Sequence, residues 1–81
     1  MSGTPLRIGP KSTAWMRAAG VRSLEDLERL GAVEAWRRAK TVHPREVSLN
    51  LLWALQGLLM GCAWNEIPPG VKEALRREAG L

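Results

Sequence analysis

Glycine and proline cut this 81-residue chain into pieces that each hold only a short element. The breaks fall at Gly9-Pro10, Gly20, Gly31, Pro44, Gly61 and Pro68-Pro69. Glycine ends helices readily because it accepts positive φ, and proline suits a first helical turn because its missing N–H has no intrahelical partner there. Between the breaks, apolar residues recur at three- and four-residue spacing, while β-branched residues are scattered and nothing alternates over four or more positions. The pattern predicts an all-α fold, a bundle of about five short helices joined by turns of a few residues.

The first helix starts at Gly9-Pro10, places Trp15, Met16 and Ala19 on one face and stops at Gly20 with Val21 behind it. The second has Ser23 as its N-cap with Asp26 at the third position, carries Leu24, Leu27 and Leu30, and ends at Gly31. A third is expected from Ala32 to Lys40 with a stripe of Val33, Trp36 and Ala39, followed by a loop from Thr41 to Val47. Ser48 is expected to cap the most apolar helix, Leu49 to Met60. Leu51, Leu52, Leu55, Leu58 and Leu59 form its broad buried face, and Asn50, Ala54 and Gly57 lie opposite. Trp64 is expected to fold back on the core, and Pro68-Pro69 to open a last helix bearing Val71, Ala74 and Leu75. Residues 1–5 read as a flexible tail and residues 6–81 as a single domain, the most that this length holds.

With one cysteine, Cys62, and one histidine, His43, the chain has neither an internal disulfide nor a soft-ligand zinc set, so packing alone must hold it together. No metal or other cofactor is expected. The longest apolar stretch, Leu51 to Met60, is interrupted by Gln56 and is too short to span a bilayer. No basic flank leads into a long apolar run, so a soluble cytoplasmic protein without a membrane partner is expected. The net charge of +4 is localised: residues 1–24 hold Arg7, Lys11, Arg17 and Arg22 and no acid, and the remaining eight basic residues are matched by eight acids. An unbalanced basic segment favours a polyanion such as nucleic acid as partner, with ordinary surface solubility as its simpler rival.

The run LRIGPKSTAWMRAAGVRSLEDLERL has the form of a helix-hairpin-helix signature. A glycine turn at Gly9 feeds a helix, Met16 follows seven positions on, and Gly20 and Val21 close the helix before a capped one. Together with AAGVRSLEDLERLGAVEAW, SLNLLWAL and GCAWNEIP, the chain resembles the C-terminal domain of TfoX-type competence regulators over roughly residues 6–75. The resemblance implies a helix-hairpin-helix or SAM-like bundle and an association with competence and transformation. In such hairpins, the resemblance further implies, first-turn amides meet a DNA backbone phosphate, which positions the duplex without reading sequence. Gly9, Lys11 and Ser12 are the matching residues here, with Arg7, Arg17 and Arg22 adding charge. Arg7 stands where such a hairpin usually has a second glycine, so Gly9-Pro10 serves equally as an ordinary helix start.

No catalytic set emerges. His43, beside Pro44 and Arg45, has no recognisable nucleophile or carboxylate partner, and Cys62 reads as a small buried residue. Trp15, Trp36, Trp53 and Trp64 are the only aromatic residues and fall at core spacings. Glu25 with Asp26, and Glu73 with Arg77, read as capping and helix-surface charge. Two functions remain open, both non-enzymatic. One is a module that contacts the DNA backbone through the N-terminal hairpin. The other is a protein-interaction or oligomerisation module, a homo-oligomer included, in which Trp53 and Met60 flank the main face of the apolar helix and are exposed for a partner.

Overall fold

A computed structural model describes residues 3–81, and the expected tail at residues 1 and 2 lies outside them. Five α-helices follow one another, α1 (Pro10–Ala18), α2 (Leu24–Leu30), α3 (Ala32–Val42), α4 (Leu49–Met60) and α5 (Pro69–Glu78), with a 3-10 turn at Trp64–Glu66 between the last two. Among the described residues there is no strand. Helices this short are marginal alone in water, so their stability comes from the shared core. The radius of gyration is 11.6 Å, close to the roughly 12 Å expected of a folded chain of this length.

The core is built on the crossing of α3 and α4. Helix α3 also packs against α1 and α2, and α4 against α2 and the 3-10 turn. Met16, Val21, Leu27, Ala35, Ala39, Leu52 and Leu55 lose all contact with solvent. Helix α4 therefore shares the centre with α3, whose five buried residues, Ala32, Val33, Ala35, Trp36 and Ala39, form one continuous stripe. Two polar groups fasten the loop that follows: the Trp36 indole Nε1 donates to the Ser48 carbonyl at 3.0 Å and Lys40 Nζ to the Val47 carbonyl at 2.7 Å. Helix α5 adds only Leu75 to the buried set, and Arg37 of α3 donates to the Glu78 carbonyl at its C-terminal end, where a cation is favoured.

Several local expectations are corrected. Helix α3 runs two residues further, to Val42, because the His43 amide still finds the Ala39 carbonyl at 2.9 Å. Ser48 occupies the N-cap of α4, but its side chain makes no capping bond. Gly57 is buried rather than opposite the core, since the chain turns at Gly61 and brings the Cys62 carbonyl against it. The two tryptophans flanking that turn exchange roles. Trp53, expected on an exposed flank, is 8% exposed and has Lys72 of α5 over its ring at 5.5 Å. Trp64, expected in the core, is 56% exposed, and Ile67 enters the core in its place. Ala74 is exposed on α5. Thr4, within the segment expected to be a loose tail, is fastened to α2: its amide and hydroxyl donate to the two Glu25 carboxylate oxygens, each at 2.8 Å, and its carbonyl accepts from the Leu24 amide.

Candidate nucleic-acid interface

Gly9 sits at φ 89°, ψ 159°, a backbone state that side chains exclude, and it turns the chain directly into α1. Pro10 supplies no N–H. The Thr13 amide and hydroxyl both bond to the Gly9 carbonyl, at 3.0 and 2.6 Å. That leaves the amides of Lys11 and Ser12 without partners among the described residues, while the Thr13 donor is occupied. No acid lies in the first turn of α1 and no side chain caps it, so the positive end of its dipole is uncompensated.

Of the six residues expected to bind nucleic acid, two lie at a recess that none of the other four lines. Arg17 and Arg22 line a shallow recess of about 390 Å3 near the C-terminal end of α1. Asp26 brings a carboxylate beside them: it accepts from the Arg22 amide at 3.1 Å and pairs with Arg29. The Arg22 amide, helped by Arg29, holds the Asp26 carboxyl below its ordinary range, so this charge persists at neutral pH. Lys11 extends over the Trp15 ring, its ammonium 6.0 Å from the centroid, and Ser12 lines a different recess with Trp15 and Trp64. Arg7 lies in a further recess, with Ile8, Leu58, Cys62 and Trp64. Met60, expected at a protein interface, is 43% exposed.

A second glycine hairpin lies between α2 and α3. Gly31, expected only to end α2, has φ 84° and ψ 158°, nearly the conformation of Gly9, and joins α2 directly to α3. The signal was present, since Ile8-Gly9 and Leu30-Gly31 are each an apolar residue and a glycine before a helix start. This hairpin differs chemically from the first: Glu34 stands in the first turn of α3, and Ala32 and Val33 are buried. It packs the core, and the recess beside it is lined by Glu34 and Glu78 as well as Arg37.

His43 does have a carboxylate partner, Glu46 Oε2 at 3.1 Å from Nδ1, which the sequence pattern missed although the two are three residues apart. Cys62 is partly exposed rather than buried. Among the described residues no three metal-ligating side chains gather, and no helix is long and apolar enough to cross a membrane.

A profile of the family described as the TfoX C-terminal domain matches residues 6–79, a span that begins at buried Leu6 and takes in all five helices. The chain belongs to that family. No curated protein and no solved structure matches it. In this TfoX C-terminal domain the matched span includes both glycine hairpins, the α3–α4 crossing and the exposed Trp64.

Proposed function

We propose that this TfoX C-terminal domain is a non-enzymatic, competence-related binding module that holds a DNA backbone at the start of α1. The observation that carries this reading is the pair of Lys11 and Ser12 amides above Gly9, unpartnered among the described residues, in a first turn without acids and within a segment whose charges are all basic. Backbone amides at a helix start and a nearby lysine together suit a phosphate oxygen, and nothing there reads a base edge. Arg17 and Arg22 form a second cationic point at the far end of the same helix. A cytoplasmic location, where DNA is met, fits this role.

Binding of this kind is weak, indifferent to sequence and salt-dependent, with a slope of log affinity against log salt of about −2 to −4 for some two to four phosphate contacts. In a nuclear magnetic resonance titration with duplex DNA, the Lys11 and Ser12 amides move most and Thr13 less, its donor being occupied. Lys11→Glu lowers affinity on every sequence alike and leaves helicity intact. Shifts centred on α5, or none at millimolar duplex in low salt, overturn the reading.

A further inference from the structure

Two open recesses lie side by side on the α4 face that looks toward the 3-10 turn. Both contain Ala54 and Trp64. One, of about 310 Å3, has Trp15 and Leu51 in its lining, and the other, of about 360 Å3, has Ile8, Leu58 and Arg7. Trp64 is thus the wall common to both, and with 56% of its surface exposed it is the largest apolar side chain left in solvent. These volumes are at the lower limit of small-molecule sites, suited to single side chains rather than to a whole cofactor.

The charged side chains that line the groove or lie over its tryptophans are basic. Arg7 lines it, Lys11 lies over Trp15, and the Lys72 ammonium is 5.7 Å from the Trp64 centroid. No aspartate or glutamate lines either recess. Glu66, close in sequence, turns its carboxylate onto the Ala63 amide at 2.8 Å and closes the 3-10 turn. We propose that this groove docks an acidic amphipathic segment of a partner protein, which sets two aliphatic side chains on either side of Trp64 and its carboxylates against Arg7, Lys11 and Lys72. A half-exposed tryptophan between two recesses of mixed lining, with Leu51 in one and Ile8 and Leu58 in the other and with a cationic rim, is an arrangement that concentrates binding energy at protein interfaces.

Two other occupants fit less well. Single-stranded nucleic acid needs free aromatic faces for its bases, whereas Trp15 and Trp64 each already hold a lysine ammonium over the ring. A second copy of this chain has an acidic amphipathic segment in α2, LEDLERL, but Leu27 of that helix is fully buried in its own core and is not available to a neighbour.

The test is fluorescence anisotropy with a labelled helical peptide of leucine, alanine, glutamate and aspartate. Its controls are the same peptide with serine for each leucine, and oligothymidylate. The leucine peptide is expected to bind and the serine peptide to bind roughly tenfold more weakly or not at all. Trp64→Ala should lower affinity roughly tenfold or more, and Arg7→Glu should lower it as well, with helicity unchanged because both side chains are exposed. The groove and the backbone site share Lys11 on the rim and Ser12 in one lining, and Trp64→Ala separates them: it should lower peptide affinity while leaving duplex-DNA affinity and its salt slope unchanged. Absence of peptide binding at millimolar concentration, affinity indifferent to Trp64, or Trp64-dependent binding of oligothymidylate alone each overturns the proposal.

Discussion

Gly57 shows how one hydrogen atom can be a structural requirement. A Cβ built on it meets the Cys62 carbonyl oxygen at 2.7 Å, and the same turn is held by the Cys62 amide donating to the Gly57 carbonyl at 2.9 Å. Alanine favours a helix interior over glycine by about 1 kcal/mol, while forcing a methyl group against backbone costs about 1–3 kcal/mol. Gly57→Ala should therefore destabilise the protein by a net amount of up to about 2 kcal/mol, read as a lower urea midpoint. A midpoint at or above that of the unsubstituted protein means that the turn after α4 yields freely. The sequence pattern could not show this contact, because it depends on where the chain goes after Gly61 and not on the spacing within α4. The exchange of Trp53 and Trp64 has the same origin: Trp53 lies within α4 and Trp64 in the 3-10 turn after it, and where the chain and α5 go beyond Gly61, with Lys72 near both rings, is not written in the spacing within α4.

At the scale of elements, the caps were legible where one side chain serves its own helix. Ser23 accepts from the Asp26 amide at 3.2 Å as its spacing predicted, whereas Ser48 in the same position before α4 makes no such bond. The Thr4 to Glu25 clasp was illegible because it spans 21 residues, and no local pattern announces it. Its chemistry gives a pH dependence. The Thr4 amide, then the Thr4 hydroxyl, hold the Glu25 carboxyl below its ordinary value. A group whose pKa is lowered on folding contributes stability above its unfolded pKa, and that contribution fades as pH falls through the folded one. The Thr4 amide resonance should therefore move with an inflection below the usual glutamate range as the segment comes away from α2. Glu25→Gln should abolish the inflection, and an unchanged titration would assign it to another carboxyl.

For the molecule as a whole, the sequence revealed the helical class, the order of the helices and the richest apolar face, but not the sharing of the centre between α3 and α4. Hydrophobic content ranks helices, and contact geometry ranks their partners; α3 is less apolar but meets three neighbours. The candidate groove was likewise unread, since it joins Arg7, Trp15 and Trp64 from three separate segments. A core shared by all five helices should unfold as one unit, with far-ultraviolet circular dichroism and tryptophan fluorescence following a single transition. Leu55 tests this because it is fully buried on α4, and Met60 on the same helix is 43% exposed. Leu55→Ala should cost about 2–5 kcal/mol through lost burial and the cavity left behind, a large share of the roughly 5–15 kcal/mol that holds a typical domain together. Met60→Ala should stay within about 0.5 kcal/mol. If Leu55→Ala costs below about 1 kcal/mol, or if the two spectroscopic transitions separate, the α3–α4 crossing is not the common centre, because a cavity there must weaken every helix that leans on it.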